Sequence, residues 1–292
     1  MRVTDSMMWA SMQRNVARRQ TDFAEAQQRA ITGKRVALPS DDPQAFAQGR
    51  TELGNIARST NYERTIGLTR PAMEQTESAL YHTEDIMRRI RDIAIQGAND
   101  TLNATDRSKL VQELDGLHDQ LVGIGNSTSG DRFIFGGYKD GSQPYDAAGT
   151  YTGDTGVQNV EISRGVTMPY GVTGESVFGS AGADVFTAIT NLQTALSNNN
   201  GAVASSTITE IDARFETVRA VHSQVGIYLN SLDISEAVVT KAKDTATARR
   251  SSLIDIDAAQ SYSDVMRAQS ALAAAIQIAG QLPPPGLVSR GG

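Results

Sequence analysis

Cysteine is absent from all 292 residues of the sequence. Disulfide bonds and thiolate metal sites are therefore excluded. Aromatic residues make up only 5% of the chain, and the formal net charge is −6. Because a nucleic-acid-binding protein needs a basic face, we expect no nucleic-acid partner.

Long hydrophobic runs are absent as well. The most apolar stretch, residues 271–282, is far shorter than the roughly 20 residues that a membrane-spanning helix needs. The first ten residues, MRVTDSMMWA, lack the apolar segment of a cleavable signal peptide. We therefore expect no membrane partner, and a chain that is soluble or leaves the cell without such a signal.

Residues that carry chemistry are scarce. The three histidines, His82, His118 and His222, lie in helical patterns without further ligands at metal-binding spacing. The neighbouring carboxylates Asp41 and Asp42 are explained at least in part by helix capping. The sequence therefore predicts no catalytic, cofactor-binding or metal-binding residue, no cofactor, and no enzyme.

Heptad patterns at the two ends of the chain are the strongest signal that is present. Residues 254–282 carry small or apolar residues at coiled-coil spacing, and residues 5–31 carry bulky ones. The first set includes Ala258, Val265, Leu272 and Ala279, and the second includes Trp9, Met12, Val16 and Phe23. Bulky side chains on one helix fit against small ones on the other, which predicts that the two ends pair. The alternative is two ordinary surface helices on one globular core.

A short loop follows the N-terminal heptads. Gly33 predicts the end of the first helix, since glycine tolerates the left-handed conformation found there. Pro39 disfavours helix at the residue before it. Asp42 is placed to cap a new helix whose first residue is Pro43, where a missing N–H has no cost.

The interior predicts long helices on both sides of a β-rich insert. Heptad positions recur from Met73 to Ala94 and from Ile211 to Ala246, whereas residues 131–182 alternate in polarity and are rich in glycine. We expect Gly67–Pro71 to interrupt or bend the second helix. The absence of Gly and Pro between Ile227 and Ala279 permits one continuous helix there.

These patterns predict a mainly α fold: a long antiparallel helical rod with coiled-coil character and a small β-rich insert. We expect three parts. Terminal coiled-coil segments comprise residues 1–40 and 251–292, a helical rod comprises residues 41–130 and 183–250, and the insert comprises residues 131–182. The apolar positions of the terminal heptads form only a narrow face on each helix. A single helix with so narrow an apolar face is only marginally stable in water. We therefore expect the ends to become fully ordered only on assembly.

Several motifs together resemble one protein family. Residues 31–43, ITGKRVALPSDDP, match the pattern Ser/Thr-Gly-Lys-Arg-x-x-x-Pro-Ser-Asp-Asp-Pro, and residues 130–138, GDRFIFGGY, are similar to the family's entry to its β domain. Residues 255–259 and 269–274 fit its terminal helix. The resemblance is to the hook-associated protein 3 family (FlgL) of the flagellin superfamily. The proline-rich tail, residues 283–292, departs from the family's usual end.

The resemblance implies a structural subunit of the bacterial flagellum at the hook–filament junction, with flagellin-like D0, D1 and D2 parts. Its partners would be hook-associated protein 1 (FlgK), flagellin, further copies of itself in a ring, and a flagellar export chaperone. Its location would be extracellular, after type III export. Two alternatives stay open: flagellin itself, which usually lacks the prolines of residues 39–43, and a non-flagellar helical-bundle tether.

Overall fold

The computed structural model describes residues 5–99 and 101–281, with side chains from residue 7 onward. Leu282 and the tail at 283–292 lie outside the described residues. The seven described helices are α1 (Asp5–Thr32), α2 (Pro43–Gly97), α3 (Ala104–Gly125), α4 (Gly174–Phe178), α5 (Val185–Ser197), α6 (Gly201–Ile254) and α7 (Ala258–Gln281). A mainly α fold with long helices and a small β-rich insert is confirmed.

The six short strands form three antiparallel pairs within the described residues. They are β1 (Thr128–Ser129) with β2 (Arg132–Phe133), β3 (Asn159–Ser163) with β4 (Val166–Pro169), and β5 (Gly179–Ser180) with β6 (Ala183–Asp184). The insert is therefore three small hairpins joined by turns, and its strands are shorter than the alternation in the sequence indicates.

The chain divides into two compact units. We call residues Met1–Arg58 with Ala242–Gly292 the terminal unit, and Ser59–Lys241 the central unit. The insert lies wholly inside the central unit. The three-part division expected from the sequence stays a prediction.

The core of the central unit follows the predicted heptads. On α6, residues at intervals of seven are fully buried: Ile211, Val218, Val225 and Leu232. On α2, Met73, Leu80, Met87 and Ala94 are buried at the same interval. The buried hydroxyls of Thr76 and Thr83 donate to the carbonyls of Ala72 and Ala79, both at 2.8 Å, so the polar atoms on this seam are satisfied without a partner helix.

The insert shares the core of the helices. Phe135, Tyr145 and Phe178 are buried in the same cluster as Leu114 of α3 and Ile189 of α5. Their rings pack edge to face, with centroid separations of 5.4 Å for Tyr145–Phe178 and 5.6 Å for Phe135–Phe178. A segment of about 50 residues buries too little surface to be stable alone, which is the physical reason for a shared core.

Helix α2 passes through Pro71 without interruption, so the interruption expected at Gly67–Pro71 is wrong, and the bend expected there stays a prediction. Proline removes one helical hydrogen bond and costs about 3 kcal/mol in a helix interior. Ile66 and Met73, on either side of the proline, are fully buried. Burial of these two side chains on one helical face offsets the cost of the proline. A rule that considers the proline alone does not include the burial of its neighbours.

Helix α6 ends at Ile254 and α7 begins at Ala258, so one continuous helix across residues 227–279 is also wrong. Neither Gly nor Pro causes this break. Its cause is a set of hydrogen bonds to residues more than 200 positions earlier in the chain, described below.

Arg107, which the sequence did not single out, joins two loops of the central unit. Its side chain is buried, with 3% of its surface exposed. The guanidinium donates to the carbonyls of Asn199 and Asn99, each at 3.0 Å. These carbonyls follow the C-terminal ends of α5 and α2, where the helix dipole favours a positive charge.

Among residues 5–99 and 101–281, none of the helices combines the length and the hydrophobicity of a membrane-spanning segment.

Candidate assembly surface of the terminal helices

Helices α1 and α7 lie against each other in the terminal unit. The end of α1 is joined to the start of α7, because the amide of Ile256 donates to the carbonyl of Gly33 at 3.0 Å and Lys34 forms an antiparallel bridge with Asp255. A pair that is joined in this way and packs along its length is antiparallel. The pairing of the chain ends expected from the heptads is therefore present.

The seam between α1 and α7 is only partly buried. Trp9, Met12, Val16 and Phe23 of α1, and Val265, Leu272 and Ala279 of α7, are all half-buried. Ala258, the first residue of α7, is exposed, so it does not contribute to the seam. No described side chain of α1 is fully buried, and only Ser261 is buried on α7. The pair thus has an apolar seam without a closed core.

A second apolar face of α7 is not covered by the residues of the terminal unit that the structure describes. Tyr262, Met266, Ala273 and Ile276 are spaced by four, seven and three residues, so they share one face of the helix. Tyr262 is 69% exposed, Met266 46% and Ile276 51%, and Ala273 is exposed too. Apolar side chains that follow one helical face in water are characteristic of a binding surface.

Among the described residues, each ion pair of α1 and α7 lies within one helix, so these pairs contribute little to holding the two helices together. Arg19 contacts Asp22 at 3.3 Å and Arg29 contacts Glu25 at 3.5 Å, but both pairs lie within α1 and are exposed. Exposed pairs of this kind are worth about 0–1 kcal/mol.

The loop after α1 and the break before α7 form one structure, which we call the clasp: residues 33–42 together with residues 253–257. The amides of Arg35 and Val36 both donate to the carbonyl of Ile254, at 2.7 and 3.2 Å. The guanidinium of Arg35 donates to the carbonyl of Leu253 at 2.8 Å and lies 3.5 Å from the carboxylate of Asp42. Gly33 adopts φ +64°, in the left-handed region that glycine tolerates.

A small apolar core lies under the clasp. Val36, Ala45 and Ile254 are buried together, with Phe46 and Leu253 packed on them. A Cβ added to Gly49 would lie 2.7 Å from the side chain of Ile254. The glycine therefore allows α2 to approach the end of α6 closely.

The predicted loop residues lie at the start of α2. Pro43 is its first residue, and Asp42 Oδ1 accepts a hydrogen bond from the amide of Ala45 at 2.9 Å, which is N-cap geometry. Pro39 is exposed in the preceding turn.

Asp41 closes the turn that contains Pro39. Its Oδ2 accepts hydrogen bonds from the amides of Leu38 and Ala37, at 2.8 and 2.9 Å. These two N–H groups hold the pKa of Asp41 below its usual value, because they favour the charged form. The two adjacent aspartates therefore have separate structural roles.

Sequence reasoning missed the C-terminal half of the clasp. Asp257 caps α7: its Oδ1 accepts from the amides of Ala259 and Gln260, at 2.8 and 3.0 Å. An Asp directly before an Ala-rich helix is a cap signal that the sequence offers. The hydrogen bonds that Arg35 donates have no such signal in the sequence. They depend on which distant carbonyl groups the fold places near Arg35.

No group of three or more His, Asp or Glu residues able to hold a metal ion occurs in the described ranges. The pair His222–Glu84, at 2.6 Å, links α6 to α2 in the central unit.

The sequence is similar to those of known flagellar proteins. Residues 3–140 match the bacterial flagellin N-terminal helical region. Flagellar hook-associated protein 3 of Salmonella typhimurium is 28% identical over 301 aligned positions, which cover 94% of each chain. The resemblance predicted from the motifs is confirmed.

Two further proteins show how far the similarity extends, one in sequence and one in structure. A flagellin of Clostridium tyrobutyricum is 29% identical over 130 residues, covering 43% of this chain and 33% of the flagellin. The solved structure of hook-associated protein 3 from Legionella pneumophila has a TM-score of 0.61 at 16% identity, covering 71% of this chain and 98% of that one. The last comparison shows a shared fold.

Proposed function

We propose that this chain is a structural subunit of the bacterial flagellum that joins hook-associated protein 1 to the flagellin filament. One observation carries the proposal: the similarity to hook-associated protein 3 extends over 94% of the chain, whereas the similarity to the Clostridium flagellin extends over 43%. The junction protein is therefore favoured over flagellin itself. No specific feature of the described residues favours a non-flagellar tether.

Assembly occurs through the terminal helices in this proposal. The half-buried seam of α1 and α7 and the exposed face of Tyr262, Met266, Ala273 and Ile276 leave apolar surface in water. Burial of such surface contributes about 25 cal/mol per Å². Neighbouring copies that cover this face complete the core that one chain lacks, and the order of the ends is then coupled to assembly.

The partners follow from this role. Copies of the chain form a ring, one side of which contacts hook-associated protein 1 (FlgK) and the other flagellin. An export chaperone covers the terminal helices before secretion, and the assembled protein is extracellular. In the same scheme residues 1–40 and 251–292 are D0-like, residues 41–130 and 183–250 are D1-like, and residues 131–182 are D2-like.

Complementation of a strain that lacks the corresponding gene tests the proposal. We expect the wild-type chain to restore filaments, and deletion of residues 255–281 to leave hooks without filaments and flagellin in the medium. Normal filaments from the deleted chain, when the variant is expressed and secreted, would contradict the proposed role of α7.

Two isoleucines on α7 provide a matched pair of substitutions. Ile276 is 51% exposed and Ile278 is 53% exposed, but two residues correspond to about 200° around a helix, so they lie on different faces. We expect Ile276→Ser to reduce filament number strongly and Ile278→Ser to have a much smaller effect. Equal effects would show that general helix stability, and not the proposed face, limits assembly.

Purified protein separates the junction protein from flagellin. We expect the chain alone to form no long filaments, since a junction subunit needs both neighbours. Polymerisation of the pure chain into micrometre-long filaments would favour the flagellin alternative.

A further inference from the structure

The clasp uses backbone groups that a continuous C-terminal helix would need. In a continuous helix the carbonyl of Leu253 would accept from the amide of Asp257, the carbonyl of Ile254 from that of Ala258, and the amide of Ile256 would donate to Ser252. In the structure Leu253 O accepts from the guanidinium of Arg35. Ile254 O accepts from two amides of the loop, and the Ile256 amide donates to Gly33. At these three groups the clasp replaces the helical bonds.

The residues at the break do not themselves forbid a helix. Asp255, Ile256 and Asp257 each have helix propensities within about 0.7 kcal/mol of alanine. The 24 residues of α7 and the last turns of α6 are helical on either side. Propagation of a helix through three such residues is therefore feasible once the loop no longer occupies the backbone groups.

We propose that the clasp is a two-state joint. In the closed state residues 33–42 hold residues 255–257 out of helix, and in the open state those bonds are released and α6 and α7 become one helix. Each of these backbone groups can form the bond of only one state at a time. A change that weakens the closed state, in the loop or in the helix, therefore raises the population of the open state. The joint goes beyond the proposed assembly role, because it is a property of the single chain.

Gly33→Ala in the full-length chain tests the joint from the loop side. Gly33 has φ +64° and no atom within 4 Å of an added Cβ, so the substitution changes backbone preference without a steric clash. Gly54→Ala is the matched control, because Gly54 lies in helix α2 of the same unit and is equally uncrowded. For Gly33→Ala we expect the population of the open state to rise on the order of tenfold, and for Gly54→Ala no change.

Two NMR measurements report the two states. Opening exposes the amides of Arg35 and Val36, so their hydrogen exchange accelerates. Fusion of the helices moves the Cα chemical shifts of residues 255–257 toward helical values. We expect both changes together. Faster exchange without helical shifts, or no change in either, would overturn the proposal.

Asp257→Ala tests the joint from the other side. Asp257 caps α7 and has no hydrogen bond to the loop amides, so its loss weakens the broken form of the helix. If the states compete, exchange at Arg35 and Val36 accelerates although the substituted residue does not contact them. Unchanged exchange at these amides, with the remaining structure intact, would refute the coupling. Both tests use the unassembled chain, so their outcome is independent of the filament assays.

Discussion

At the scale of single residues, the structure gives separate roles to side chains that the sequence presents together. Asp41 closes the turn around Pro39, and Asp42 caps α2. The cap was predictable because a cap, a first-turn proline and an adjacent helix are all local in sequence. The bonds of Arg35 to residue 253 were not predictable, since they depend on a partner 218 residues away.

Removal of the α2 cap has a defined cost. Asp42→Ala leaves the amide of Ala45 without its acceptor, and we expect a loss of about 1 kcal/mol in the free energy of unfolding of the terminal unit. Asp42→Asn keeps an acceptor and is the control, with most of the stability retained. Chemical denaturation followed by circular dichroism measures both. Equal stability of wild type and Asp42→Ala would contradict the cap.

Two tyrosines of the insert, the buried Tyr145 and the half-buried Tyr151, differ in their hydrogen bonds. The hydroxyl of Tyr145 has no partner among the described residues, whereas that of Tyr151 donates to the carbonyls of Asp154 and Phe135, at 2.8 and 3.0 Å. We expect Tyr145→Phe to leave the free energy of unfolding unchanged or raise it by about 1 kcal/mol, and Tyr151→Phe to lower it by about 1 kcal/mol. The reverse order in chemical denaturation would contradict these contacts.

Tyr151 should also make the folded state less stable at high pH. Burial raises the pKa of Tyr151 to about 12, above the ordinary value near 10. The neutral form of Tyr151 is thus favoured in the folded state. The contribution of neutral Tyr151 to the free energy of unfolding is complete below pH 10 and is lost as the pH rises toward 12. We expect the denaturant concentration at the midpoint of unfolding to decrease as the pH is raised from about 10 to about 12, and to decrease less in Tyr151→Phe. An identical fall in both proteins would contradict the assignment.

At the scale of elements, the errors of sequence reasoning have a common cause. Periodicity identified the paired terminal helices and the buried seam of α6. A heptad can be read from neighbouring residues, and its apolar positions are the ones that pack against another helix. Helix boundaries failed twice. Pro71 lies within α2 because buried neighbours offset its cost, and residues 255–257 are non-helical because a distant loop takes their hydrogen bonds.

Helix α2 should therefore be strained at Pro71. Pro71→Ala restores an N–H to the helical ladder, and since Pro71 is exposed the change removes no core contact. We expect the free energy of unfolding of the central unit to rise by about 1–3 kcal/mol. Gly67→Ala, at an exposed helical position with no atom within 4 Å of an added Cβ, should raise it by up to about 1 kcal/mol. Thermal denaturation measures both, and destabilisation by Pro71→Ala would contradict an uninterrupted α2.

At the scale of the whole molecule, stability is unequally distributed. The core of the central unit contains many fully buried side chains, whereas α1 has no buried side chain in its described part. Segments with few buried apolar contacts open at low free energy. The sequence predicted this contrast from the thin stripes of the terminal heptads, but not the second face of α7, whose exposure depends on the packing of α1.

Limited proteolysis measures this contrast in the unassembled chain. We expect early cleavage within α1 and α7, and a persistent fragment that contains roughly residues 40–250. Addition of partners that drive assembly should protect the ends. Protection of α1 in a chain shown to be monomeric would contradict the link between assembly and order.

The account depends on neighbouring copies covering the exposed face of α7. A cryo-electron microscopy map of the isolated hook–filament junction containing this chain tests that claim most directly. We predict that α1 and α7 of each copy stay paired, and that Tyr262, Met266 and Ile276 pack against an adjacent subunit. A map in which these side chains face solvent, or in which α1 and α7 lie apart, would contradict it.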